Sequence, residues 1–215
     1  MRTLVLTLNR RNVASMPCNP SIGGPAKGNL VREIDALGGE MGLNIDATCM
    51  QVRMLNTSKG PAVQTLRAQA DRFAYSRRMR QVLENEPNLE LRQGTVSDIL
   101  VQNGSILGVV TTRGERYLAP AVILTTGTYM NSRVHIGEVN FESGPRGQKT
   151  THRLSKSLLE HGFEIVRFKT GTPARVKKTS IAYERLEPLA GDPDPQGFSF
   201  LTERIDRRQA LCWKI

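Results

Sequence analysis

Only three cysteines, Cys18, Cys49 and Cys212, occur among 215 residues. Their number is odd and their spacing fits neither a disulfide framework nor a metal site, which suits a reducing, cytoplasmic setting. No stretch approaches the roughly 20 apolar residues of a membrane span, so no membrane role is expected. The apolar run in Met1–Leu8 is too short for a signal peptide, and no small-residue cleavage site follows it. A Ser/His/Asp set, a paired-carboxylate signature and a metal-ligand cluster are all missing. So are internal repeats and low-complexity tracts.

What is abundant is positive charge. Thirty Lys and Arg face twenty Asp and Glu, a net charge of +10. That balance favours an anionic partner such as a nucleic acid, a nucleotide or a membrane surface. The length allows one domain or one and a half.

The stretch Ser15–Leu30 is the most unusual. It holds Cys18, three prolines and three glycines, and it opens a helix carrying Lys27. Glycines permit close backbone approach and prolines stiffen turns. A thiol in such a loop near a helix start and a lysine is in a setting that favours the thiolate. A tight structural turn with an inert thiol is the alternative.

The pattern predicts a buried parallel strand over Thr3–Leu8 and a helix over Ala26–Leu37, with Leu30, Ile34 and Leu37 on one face. A loop or short helix (Glu40–Ala47), a strand (Cys49–Leu55), a polar turn (Asn56–Ala62) and a long helix (Ala62–Glu84) are expected next. The arginines of that helix read as a solvated face or a nucleic-acid groove. A β-meander follows over Leu89–Leu118, with turns at Asn103-Gly104 and Arg113-Gly114. Ala121–Leu124 reads as a central strand running into Thr125–Thr128. Gly137–Thr150 reads as a loop, Thr151–Gly162 as a helix with Leu154, Leu158 and Leu159 inward, and Phe163–Phe168 as a strand. Pro188–Gly197 reads as a mobile surface loop. Cys49 and Cys212 are expected to pack, and His135 to pack in a strand or shuttle protons. Lys59, Lys169 and Arg175 sit in Gly/Pro turns that suit anion binding.

This order of elements is that of an α/β flavoprotein built from two dinucleotide-binding domains. Ligands in such sheets sit at the carboxyl ends of the strands. Cys18–Gly24, Ile34–Gly39, Arg53–Val63, Arg67–Arg72, Thr125–Thr128, His135–Gly137 and Lys169–Arg175 resemble, in order and spacing, the GidA/MnmG family. That family is the large subunit of the tRNA uridine 5-carboxymethylaminomethyl modification enzyme. The resemblance implies a cytoplasmic FAD protein that uses NADH, takes its one-carbon unit from methylene-tetrahydrofolate and its nitrogen from glycine or ammonium. It implies a homodimer, a partner GTPase and tRNA wobble uridine as substrate.

By the same resemblance Cys18 is the catalytic candidate, and Val96 and Thr151 match FAD-contacting positions. Asn19, Pro20, Gly23, Gly24, Ser58, Lys59, Gly60, Thr126 and Gly127 face the cofactor. Lys169, Arg175 and Arg146 are the nucleic-acid candidates. Thr151 replaces the serine of relatives, Leu8 a usual histidine, and Ser143–Gly147 a glycine-rich loop. The family's Gly-x-Gly-x-x-Gly turn and second cysteine are missing. An internal piece is therefore expected, with a partial Rossmann-like FAD-binding domain at 1–135. Its continuation is expected at 136–175 and the start of an inserted α+β domain at 176–215. Alone it is expected to bind FAD poorly and not turn over. The alternatives are a folate- and FAD-dependent tRNA uridine methyltransferase and a noncatalytic tRNA-binding module.

Overall fold

A computed structural model describes Met1–Lys214; Ile215, the end of the apolar C-terminal run, lies outside the described residues. The chain forms two compact units, one of Met1–Arg10 with Glu86–Thr170, the other of Arg11–Asn85 with Gly171 onward. The units interleave along the chain, unlike the consecutive blocks 1–135, 136–175 and 176–215. The reason is pairing: the first strand joins a strand eighty-odd residues later, and the 171–214 segment returns to the unit containing Cys18.

In the first unit, β1 (Thr3–Thr7) pairs in parallel with β5 (Leu89–Gln93). The meander expected over Leu89–Leu118 forms only from Val96 onward: β6 (Val96–Gln102), β7 (Ser105–Thr111) and β8 (Arg116–Leu118) make an antiparallel sheet, while Leu89–Gln93 pairs with β1 instead. Gly108 has φ +146, and a Cβ there would fall 2.9 Å from Leu118 Cα, so only glycine fits. Helix α4 (Arg153–Glu160) buries Leu154 and Leu158, but Leu159 is exposed. It is tied to β6, where Ile99 N donates to Ser157 Oγ (3.2 Å) and Arg153 pairs with Asp98 (3.4 Å).

Four expectations fail here. Gly137–Thr150 is no plain loop, because β9 (Arg133–Ile136) and β10 (Val139–Glu142) make a hairpin that leaves His135 exposed rather than packed. Ala121–Leu124 and Phe163–Phe168 are apolar but form no strand, and Ile123 and Phe168 are largely exposed. A strand needs a second strand to pair with, and among the described residues neither run pairs with one.

In the second unit, β2 (Ser21–Gly23), β4 (Thr65–Ala70) and β3 (Cys49–Leu55) form an antiparallel sheet with β4 central. The long helix expected over Ala62–Glu84 is instead β4 followed by α3 (Arg72–Asn85). Thr-Leu-Arg-Ala-Gln-Ala alternates with period two, and Asp71 caps the helix by accepting from Phe73 N and Ala74 N (both 3.0 Å).

Helix α1 (Lys27–Ala36) forms as expected, but with the other face inward: Gly28, Val31 and Asp35 are buried while Leu30, Ile34 and Leu37 are exposed. Helix α2 (Met41–Thr48) occupies the region left open between loop and helix. The core joins Ile22, Val31, Ile45, Cys49, Val52, Leu66, Ala68, Tyr75 and Phe198.

Phe198, fully buried, comes from a distant part of the sequence. Its segment is held by two carboxylates. Asp46 accepts from Phe198 N (2.8 Å) and Ser199 N (2.9 Å), and Asp35 accepts from Phe200 N (2.8 Å). Strands β11 (Glu187–Leu189) and β12 (Cys212–Lys214) form a ribbon beside the free edge of β3. Val52 O accepts from Asp192 N (3.0 Å), Val52 N donates to Gln209 Oε1 (2.7 Å), and Met54 N donates to Asp192 Oδ2 (2.6 Å). Pro188–Gly197 is thus an edge cover rather than a mobile loop. Trp213, the single tryptophan, stacks edge-on against Tyr183 at 5.2 Å.

Candidate functional site

The loop carrying Cys18 is fixed on two sides. On one side Ala70 N donates to Pro20 O (2.7 Å), extending the β4 contact beyond the strand. On the other, the Cys18 thiol donates to Gly171 O (3.1 Å) and Arg175 Nη2 donates to Pro17 O (2.6 Å). Two loops separated by about 150 residues therefore meet at the thiol. Cys18 is half-buried, Asn19 exposed and Pro20 half-buried. Cys49 is different: its thiol is buried in the core, and burial pushes its pKa up. Cys212 is half-buried in β12.

The glycines of this region divide by role. Gly23 has φ +86, and a Cβ there would overlap the Leu66 carbonyl and lie 2.6 Å from Phe198 Cζ. Its smallness serves the core. Gly24 also has positive φ (+92), but a Cβ there would meet nothing within 4 Å. Ser58, Lys59 and Gly60 form the exposed tip between β3 and β4. That tip is internally braced: Asn56 Nδ2 donates to Val63 O (2.9 Å) and Gln64 Nε2 to Lys59 O (3.1 Å).

The other cofactor candidates belong to the first unit. Val96 starts β6 opposite Thr111, and Thr151 stands just before α4. Thr151 N donates to Tyr129 O (2.9 Å) and Thr151 O accepts from Asn131 N (2.7 Å), so Thr151 is joined to the turn that follows Thr126-Gly127. Gly127 has φ +57, and a Cβ there would touch only the Tyr129 ring at 3.6 Å. Arg146 is exposed at φ +59 in a tight turn, and Lys169 is exposed in irregular chain. The structure thus brings the Cys18 loop together with Arg175, and Thr151 together with Tyr129 and Asn131, which follow Thr126-Gly127 in the chain. No cluster of metal-binding side chains occurs among the described residues. No described helix is long and apolar enough to cross a membrane.

Sequence reading missed the roles of Asp35 and Asp46, and the juxtaposition of Arg53 with Arg67. Arg67 was hidden by the helix expected there. The period-two alternation of Thr65–Ala70 was the available signal.

A parallel strand pair, antiparallel sheets and glycine-bearing loops between strands and helices define a mixed α/β domain. A family model described as Glucose inhibited division protein A matches residues 1–215, and the chain belongs to this GidA family. Its fold is that of part of Aquifex aeolicus GidA: TM-score 0.92 and 45% identity, over 98% of this chain and 36% of that one. It is 55% identical over 212 residues to the Bacillus subtilis "tRNA uridine 5-carboxymethylaminomethyl modification enzyme MnmG". The same enzyme of Geobacillus thermodenitrificans is 54% identical over 212 residues. These matches cover 99% of this chain and 34% of each relative, so the chain spans about a third of their length.

Proposed function

We propose that the protein carrying this sequence modifies tRNA wobble uridine at C5, adding a carboxymethylaminomethyl or aminomethyl group with FAD as cofactor. The observation that carries this reading is the 55% identity over 212 residues to a relative named for that modification. The reading includes NADH as reductant, methylene-tetrahydrofolate as one-carbon donor and glycine or ammonium as nitrogen source. It also includes a homodimer, a partner GTPase and a cytoplasmic location.

The residues present fit a flavin nucleotide in kind. Gly60 and Gly127 leave open backbone at which an added Cβ would meet nothing nearer than 3.6 Å, and Thr126 and Thr151 supply hydroxyls. The cofactor candidates of the first unit are Val96, Thr126, Gly127 and Thr151. Those of the second unit, taken by itself, are Asn19, Pro20, Gly23, Gly24, Ser58, Lys59 and Gly60. When bound, FAD supplies two-electron redox chemistry. Cys18 is the thiol offered to that chemistry, as redox partner or nucleophile, and the Gly171 carbonyl and Arg175 guanidinium fix its loop. Arg146, Arg175 and Lys169 would contact tRNA phosphates.

The test is nucleoside mass spectrometry of cellular tRNA. Deleting the gene should abolish the C5-modified wobble uridine, and restoring full-length protein with Cys18→Ser should not recover it. Unchanged modification after deletion would overturn the function. Full recovery by the serine variant would overturn the role of Cys18.

A further inference from the structure

The face of the β2–β4–β3 sheet turned away from the core carries two arginines directly opposite each other. Arg53 on β3 pairs in register with Arg67 on β4, and Gly23 on β2 flanks Arg67 on its other side. Opposed residues on antiparallel strands project from the same face, with Cβ atoms about 4.5–5.5 Å apart. The flanking rows are Ser21, Gln69 and Gln51 on one side and Thr65 and Leu55 on the other. Gln51 and Thr65 are buried, Gln51 donating to Leu189 O and Ala210 O and Thr65 to Gly24 O, so the open part of the face is the arginine row. None of these sheet positions bears a carboxylate; the Asp192 carboxylate at the edge of β3 accepts from Met54 N (2.6 Å) and forms no ion pair with Arg53.

Arg67 is exposed and Arg53 half-buried, and neither forms an ion pair with any described residue. Like charges placed directly opposite each other destabilise a sheet. The repulsion disappears when one oxyanion accepts from both guanidinium forks, a geometry that matches phosphate. The exposed Lys59 stands at the tip of the same β3–β4 connection and adds charge of the same sign.

We infer that Arg53 and Arg67 together bind one backbone phosphate of an RNA strand. The RNA part of this assignment rests on the function proposed above. Because both arginines hold the same phosphate, removing the two together removes one contact, not two.

The experiment uses purified full-length protein, an unmodified tRNA transcript and, separately, inorganic phosphate. Replacing both residues (Arg53→Gln with Arg67→Gln) should weaken tRNA binding about tenfold at 0.1 M salt. It should lower the slope of log K against log salt by about 0.9, the value for one phosphate. The exposed control Lys156→Gln should leave the slope unchanged. Inorganic phosphate should raise the Tm of the wild type and not that of the double variant. In phosphate-free buffer, Arg67→Gln alone should raise the Tm, since it removes the repulsion.

Equal slopes and equal phosphate stabilisation in wild type and double variant would overturn the site. Phosphate stabilisation confined to the wild type, with tRNA binding unaffected, would uphold the oxyanion pair and overturn its assignment to RNA. Absence of tRNA binding by either protein would refute the proposed function, leaving phosphate to decide the pair.

Discussion

Phe198→Ala should be the most damaging single truncation in the unit that holds Cys18. The ring is fully buried, and its Cζ lies where a Cβ on Gly23 would be only 2.6 Å away. Moving a Phe side chain out of a core forfeits about 1.5–3 kcal/mol of transfer free energy. The space left behind adds a cavity cost, because the backbone around it cannot collapse. Asp46 and Asp35 pin Phe198 N, Ser199 N and Phe200 N, and β4 fixes Gly23. The total should reach about 3–5 kcal/mol, a large part of a typical domain's stability. Urea denaturation followed by Trp213 fluorescence measures it, since the single tryptophan lies in this unit. The midpoint should fall while the m-value stays constant. A loss below about 1 kcal/mol would refute the claim that this side chain closes the core.

Other outcomes follow from the same geometry. Gly23→Ala should destabilise by about 2–5 kcal/mol, from positive-φ strain and overlap with the Leu66 carbonyl, and urea midpoints will show it. Asp46→Ala leaves two buried N–H groups without their acceptor and should cost about 2–4 kcal/mol by the same assay. Timed alkylation with mass spectrometry should label Cys18 well before the buried Cys49, whose pKa is raised by burial. Burial likewise pushes the Tyr75 phenol above its ordinary value. The folded state then holds the phenolic proton to higher pH than the unfolded chain does. Its contribution to stability is present below pH about 10 and is lost as pH rises through the folded-state value. Tyr75→Phe should therefore flatten the alkaline decline of Tm.

Local patterns were legible where local physics decides them. The Asn-Gly and Arg-Gly turns fixed the meander β6–β7–β8, and α1 lies within the helix expected over Ala26–Leu37. Seven short motifs in order, Cys18–Gly24 among them, identified the family. Patterns failed where an element's partner lies far away in the chain. The period of Thr65–Ala70 was overridden by the arginine-rich helix next to it, and the inward face of α1 was misread. That face is chosen by Asp35 reaching Phe200 N, which no window around the helix contains.

Sequence by itself determined the family, the turn positions and the chemistry at hand: a thiol in a rigid loop and an excess of positive charge. Those properties are local or additive. Tertiary structure decided which loops meet, because hydrogen bonds such as Cys18 to Gly171 and Arg175 to Pro17 join residues about 150 apart. It also decided that Gly23 serves Phe198, and that Arg53 faces Arg67. Strand register places side chains across a sheet, and register is a property of two segments together.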